Sequence, residues 1–147
     1  MGVFFVGADH GGVELKGHLV EWLTTAGHEV EDLGTFATES VDYPDVAVAV
    51  SDRVVAHPGA RGILVCGTGI GMSMAAGKVR GIRAAVATDP FMARMATEHN
   101  DANVLCLGER VVGIGLARAI LDAWLDASFE GGRHARRVSK IMETEGR

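Results

Sequence analysis

The chain has 147 residues and a formal net charge of −5, with 14 Lys+Arg against 19 Asp+Glu, 48% hydrophobic and 22% charged residues. Those proportions exclude a disordered chain and a collagen-like or coiled-coil rod, and the acidic balance gives nucleic acid no basic footprint. The length predicts one domain, 1–147, whose core stands without disulfide or metal staples.

Residues 3–8 read as a first strand, which runs into Gly7-Ala8-Asp9-His10-Gly11-Gly12. Leu15, Leu19, Trp22, Leu23 and Ala26 then recur at i, i+4, i+7, i+8 and i+11, one apolar face of a helix ended near Gly27. A second strand is expected over 28–33. Pro44 opens the next helix at a first-turn position, where its missing N–H costs nothing, and Val46, Val50 and Val54 form the inner stripe. A third strand, 62–66, leads into Cys66-Gly67-Thr68-Gly69-Ile70-Gly71-Met72-Ser73 and a helix over about 71–79. A strand over 82–87, a helix over 91–100 and a strand over 103–107 follow. The next helix, 113–127, carries Ala117, Ile120, Leu121, Trp124 and Leu125 on one side. Short apolar runs alternating with amphipathic ones predict βαβ units around a parallel sheet.

After Gly131-Gly132 a last helix, 133–143, has only Val138, Ile141 and Met142 as an apolar stripe. So narrow a stripe fits docking on a second subunit or packing on its own domain. No apolar stretch approaches the roughly 18 residues of a membrane helix, and the first residues lack the basic start of a signal peptide. Two cysteines, Cys66 and Cys106, fit a reducing compartment, so the cytoplasm is the expected location.

In an open α/β sheet, ligands bind beyond the carboxyl ends of the strands, which directs attention to Asp9-His10 and to the glycine loop. That loop is GxGxG: Met72 takes the place of a third glycine, and no Gly-Lys-Ser/Thr follows, so both nucleotide templates fail. What remains is a run of backbone N–H groups before a helix, which suits an oxyanion or a phosphate, or else a plain strand-to-helix turn. Cys66 at the strand–loop junction reads either as a thiolate favoured by the helix that follows or as a small buried hydrophobe; Cys106 reads as the latter. His10 and His99 are expected at one end of the sheet, whereas His18, His28, His57 and His134 read as surface or helix-end residues. Arg133 and Arg137 share one helix face in first turns that disfavour cations, which an anionic ligand or simple solvation would explain. No His, Cys or carboxylate cluster shows metal-ligand spacing.

Taken in order and spacing, Gly7-Ala8-Asp9-His10-Gly11-Gly12, Asp42-Tyr43-Pro44, the Cys66–Gly71 loop, Gly81-Ile82-Arg83-Ala84, His99-Asn100-Asp101-Ala102-Asn103-Val104-Leu105 and Glu130-Gly131-Gly132-Arg133-His134 resemble the type B ribose-5-phosphate isomerases over nearly the whole chain. The wider family also holds galactose-6-phosphate and allose-6-phosphate isomerases and members acting on four-carbon ketose phosphates.

The resemblance implies a three-layer αβα Rossmann-like sandwich with five parallel strands in the order 2-1-3-4-5. It also implies a homodimer or dimer of dimers, with the C-terminal helix docked on the partner and the site at the subunit boundary. The implied reaction is aldose–ketose isomerisation of a small sugar phosphate, with no metal and no organic cofactor. By position, Cys66 is the implied base, and the five amides of Gly67, Thr68, Gly69, Ile70 and Gly71, with Thr68 itself, are the anion hole, Ser73 lying just beyond. His99 is the implied ring-opening residue, Asp9 and Tyr43 line the sugar, and Asn100 comes from the partner. His10, Arg133, Arg137 and Arg110 are the implied phosphate contacts. One departure is Gly77, where relatives often carry Asn. A non-catalytic phosphosugar-binding module and a dinucleotide-dependent oxidoreductase are the rival classes.

Overall fold

The computed structural model describes residues 1–147. In chain order the elements are β1 (Val3–Ala8), α1 (Val13–Thr25), β2 (Glu29–Asp32), α2 (Tyr43–Ala56), β3 (Arg61–Cys66), α3 (Ile70–Ala76), β4 (Ala84–Val86), α4 (Pro90–Glu98), β5 (Val104–Gly108), α5 (Ile114–Asp126) and α6 (Arg133–Glu143), closed by a 3₁₀ turn over Thr144–Gly146. The five strands pair in parallel throughout.

The period of two along the strands sorts side chains between two cores. Phe4, Val6, Ile63, Val65, Leu105 and Leu107 face α1, α4 and α5, around the fully buried Trp124. Phe5, Leu64, Cys66, Val104 and Cys106 face α2 and α3, meeting Val50, Val54, Met72 and Ala76. Both faces of the sheet are covered by helices, so the central strands β1, β3 and β5 are nearly continuous buried runs, as a parallel sheet requires.

The strand order is β2-β1-β3-β5-β4, which corrects the expected 2-1-3-4-5 by exchanging the last two strands. Burial explains the exchange. Val104-Leu105-Cys106-Leu107-Gly108 is buried at every position, whereas Ala84-Ala85-Val86 is half-buried at every one and only three residues long. The longer apolar run takes the interior place and the short, small-residue run takes the edge. The chain therefore skips one place from β3 to β4 and returns to β5. Reversing direction with right-handed crossovers puts α4 on the face opposite α3.

Helix α6 packs on its own domain through His134 and Val138, both buried, and through Met142, whose sulfur lies 3.7 Å from Nη1 of Arg83. The 3₁₀ turn is tied down by Glu145, which accepts the Gly81 N–H at 2.8 Å. Ile141 stays half-exposed at 49%, on a groove formed with Phe91, Met92, Met95 and strand β4. The reading that this narrow-striped helix packs on its own domain thus holds for one edge of it, and the other edge is open.

Candidate active site

Helix α1 leaves β1 toward one layer and α3 leaves β3 toward the other, so a crevice opens between the carboxyl ends of these adjacent strands. Asp9 occupies it almost completely buried, at 7% exposure. Its Oδ1 accepts the Gly11 N–H at 2.9 Å, and its own N–H donates to Val65 O at 3.1 Å. Gly11 comes so near the second loop that a Cβ on it would stand 3.3 Å from the Gly67 nitrogen. His10 is exposed at the rim, where its Nδ1 accepts the Val41 N–H at 3.3 Å.

Cys66 ends β3 with its side chain 5% exposed, and its Sγ accepts the Gly69 N–H at 3.1 Å. That bond depends on Gly69 adopting φ +81, in the left-handed region. Ile70 N–H donates to Thr68 Oγ1 at 3.2 Å, so two of the five amides expected in an anion hole are already engaged. The Gly67, Thr68 and Gly71 amides have no partner among the loop hydrogen bonds of the chain. Tyr43, first residue of α2, lays its ring against Gly71; a Cβ there would meet the ring at 2.7 Å. Ser73 lies one turn into α3, half-buried.

The end of β5 supports this loop, a role the sequence reading missed. Glu109 N–H donates to Cys66 O at 3.0 Å, and Arg110 N–H to Gly67 O at 3.1 Å. The Glu109 carboxylate also accepts the Leu15 N–H at 2.7 Å, in the first turn of α1. Gly108 lets the loop pass: a Cβ on it would fall 2.6–2.7 Å from the backbone of Thr68. The Cys106-Leu107-Gly108-Glu109 run was the available signal, a glycine breaking off a buried strand. The Arg110 guanidinium packs over Gly67, its Nη1 3.5 Å from the position of a Cβ there. Cys106 is fully buried, and burial, followed by its neighbour Cys66, pushes its thiol far above the ordinary range; it is the inert thiol its sequence context predicted.

The remaining candidates stand elsewhere. His99 caps the end of α4 and Asn100 follows it, before β5 begins at Val104, level with Gly62 near the start of β3, so both lie toward the amino end of the sheet. Cys66 is level with Gly108 at the other end, four rises along β5 or about 13 Å at ~3.3 Å per residue. This corrects the expectation that His10 and His99 share one end. The physical reason is connectivity: a helix returning from β4 to a parallel β5 must run antiparallel to both, so its last residues reach the opposite edge. Arg133 and Arg137, exposed on α6, belong to that edge as well, since Glu130 N–H donates to Glu98 O at 3.0 Å just before α6 starts. Neither arginine has an ion-pair partner within the chain.

His134 is a helix-end residue as expected, second in α6, but not a surface one: it is buried at 7% exposure, its ring stacked on that of His99 with centroids 4.0 Å apart and planes within 10°. Both imidazoles face one carboxylate oxygen, Glu130 Oε1, at 3.3 Å from His99 Nε2 and 3.7 Å from His134 Nε2. Burial first, then the neighbouring His99, hold His134 below its ordinary pKa. The expectation that no residues fall at ligand spacing fails here: donor atoms of His99, Glu130 and His134 all lie within 4.8 Å of one another, brought together by α4, the α5–α6 connection and α6. No helix is long and apolar enough to cross a membrane.

Comparison with known proteins adds independent information. Residues 4–141 match the model of the Ribose/Galactose Isomerase family. Ribose-5-phosphate isomerase B of Escherichia coli K12 is 49% identical over 141 residues, covering 96% of this chain and 95% of that protein. The structure of Clostridium thermocellum ribose-5-phosphate isomerase B superposes with a TM-score of 0.96 at 56% identity, over 98% of this chain and 97% of that one. Ribose-5-phosphate isomerase B of Mycoplasma genitalium, solved with bound ribulose-5-phosphate, gives a TM-score of 0.94 at 42% identity, over 98% and 96% of the two chains.

Proposed function

The chain belongs to the ribose/galactose isomerase family, and from that premise we propose that it interconverts ribose 5-phosphate and ribulose 5-phosphate by proton transfer through a cis-enediolate, with no metal or organic cofactor, all 147 residues serving as one isomerase domain. The observation that carries this reading is the meeting of a hydrogen-bonded cysteine sulfur, a glycine loop with unpartnered amides and a buried carboxylate at the sheet's switch point.

In the forward direction the Cys66 thiolate takes the proton from C2 of the open-chain aldose. The C2–H electrons form the C1=C2 double bond, and the carbonyl π electrons move onto O1. The amides of Gly67, Thr68 and Gly71 hold the resulting negative charge, the kind of fixed donor set that supplies the largest single share of such catalysis. The Cys66 proton then passes to C1, the C2–O2 carbonyl forms, and the O2 proton moves to O1, giving the ketose with atoms conserved. Asp9 and Tyr43 hold the sugar, with Ser73 beside it, and His10 and Arg110 approach the phosphate.

The other residues of the reaction come from a second copy of the chain. His99, to open the furanose ring, Asn100 beside it, and Arg133 and Arg137, to bind the phosphate, stand too far from Cys66 to serve their own chain's site. A homodimer, alone or paired into a dimer of dimers, supplies them across its boundary. The half-open groove beside β4, rimmed by Asn100 and apolar in most of its lining, supports self-association. Two free cysteines, one of them needed as a thiolate, support a reducing, cytoplasmic setting.

The test is kcat/KM for ribose 5-phosphate, allose 6-phosphate, galactose 6-phosphate and erythrulose 4-phosphate, measured in EDTA. Ribose 5-phosphate is expected to be the best substrate. A higher value for another sugar reassigns the substrate, and no turnover of any leaves a binding module.

A further inference from the structure

We propose that Glu130 is the positioning residue of His99: its carboxylate holds the Nε2–H of that imidazole, so that Nδ1 is the nitrogen that opens the sugar ring, and His134 is the flat support against which the imidazole lies. The ring-opening role given to His99 above is the premise.

Glu130 precedes His134 by four residues, with Gly131 and Gly132 between them at φ +68 and +57. Glycine takes such angles without steric cost, and the turn they make starts α6 beside the end of α4, where the Glu130 N–H donates to Glu98 O at 3.0 Å. One short segment therefore meets His99 twice. His134 lays its ring on the imidazole, with centroids 4.0 Å apart and planes within 10°, while Glu130 Oε1 stands 3.3 Å from His99 Nε2. Two parallel rings cannot both align an N–H with one oxygen, and this oxygen is nearer to His99 than to His134, from which it is 3.7 Å. Hydrogen bonds of catalytic groups are commonly long until substrate is held. Arg94, on the same helix as Glu98, pairs with that residue at 2.6 Å and leaves the Glu130 carboxylate to the imidazoles. Burial keeps His134 below its ordinary pKa, so the ring it offers His99 is neutral.

A carboxylate accepts only from a protonated nitrogen, so Glu130 fixes the tautomer and leaves the lone pair of the neutral ring on Nδ1. Nδ1 takes the O1–H proton of the furanose. The O–H electrons form the C1=O1 carbonyl, the C1–O4 bond breaks with its pair on O4, and the proton on Nδ1 passes to O4. Between the two transfers the imidazole is a cation, which the negative charge of Glu130 stabilises.

The test is single-turnover kinetics of the full chain, with enzyme in excess, started from each sugar in turn. Ribose 5-phosphate starts as a ring; ribulose 5-phosphate has its O5 tied up in the phosphate, forms no furanose and starts open. Glu130→Ala should slow conversion of ribose 5-phosphate at least about 10-fold while changing that of ribulose 5-phosphate less than about 3-fold, a part of the 100- to 10,000-fold that a proton-transfer group supplies. Glu130→Gln, which keeps an acceptor and loses the charge, should fall between Glu130→Ala and wild type. His134→Phe, which keeps a flat ring, should convert ribose 5-phosphate faster than His134→Ala. Glu130 is exposed, so its variants decide the matter if the buried His134 variants fail to fold. Equal losses on the two sugars, or no loss on either, overturn the positioning role. His99→Asn in the same assay separates this from its premise: a wild-type rate on ribose 5-phosphate overturns the ring-opening role of His99, whereas a loss confined to His99→Asn overturns only the part given to Glu130. Absence of turnover of either sugar by the wild type overturns the isomerase reading itself.

Discussion

Cys66 ends β3 and His99 follows α4 before β5 begins, so the two stand toward opposite edges of the same parallel sheet, with the length of β5 between those edges. The two-chain site proposed above therefore makes a specific demand on mixed oligomers.

Cys66→Ala and His99→Asn chains, each inactive alone, should regain activity when mixed and allowed to exchange subunits. At equal mixing half the dimers are hybrids with one intact site of two, so specific activity should reach about a quarter of wild type. Enzyme assay after verified exchange gives the answer, and a mixture that exchanges but stays inactive refutes the shared site.

Cys66→Ala alone should lower kcat by about 100- to 10,000-fold, the usual cost of losing a general base, with circular dichroism unchanged because a small buried side chain is replaced by one nearly as small. A purified variant turning over at the wild-type rate removes Cys66 from the mechanism.

Arg137→Ala should act on substrate binding. A hydrogen bond to a charged group contributes about 1.5–3 kcal/mol, or roughly 10- to 150-fold in affinity. If the phosphate is held equally in ground and transition states, KM rises and kcat stays. Steady-state kinetics on ribose 5-phosphate decides; a fall in kcat at constant KM would show that the arginine acts in the chemical step.

Gly108→Ala should disturb the site without touching substrate. Its Cβ would enter the Thr68 backbone at 2.6–2.7 Å, and backbone has no rotamer with which to yield. Overpacking of this kind costs about 1–3 kcal/mol. A lowered urea midpoint together with reduced kcat is expected; unchanged values of both would show that the loop is not held where β5 ends.

His28 should make stability pH-dependent. Its imidazole is held below the ordinary 6.5, by burial first and then by the N-terminal ammonium and Arg61, and its Nδ1 accepts the Gly2 N–H at 3.0 Å only when unprotonated. The unfolded chain therefore binds a proton more readily, and stability falls as pH drops below about 6.5. Denaturant midpoints at pH 7.5 and 5.5 should differ less in His28→Gln than in wild type.

The sequence by itself determined the elements and the half of the site that lies next to strands. Alternating apolar runs located all five strands within a residue or two, and Asp9, Cys66 and the glycine loop were legible because each directly follows a strand whose carboxyl end is the ligand-binding edge. Local periodicity carries no information about neighbours across the sheet, so the exchange of β4 and β5 was decided by which run could be buried on both sides. The parallel crossover from β4 to β5 puts His99 at the amino edge in either order, but the burial of His134 against it and the Glu130 carboxylate beside both were decided only by the packing. Those are long-range contacts, made by α4, α5 and α6 only once they pack, and no spacing along the chain records them.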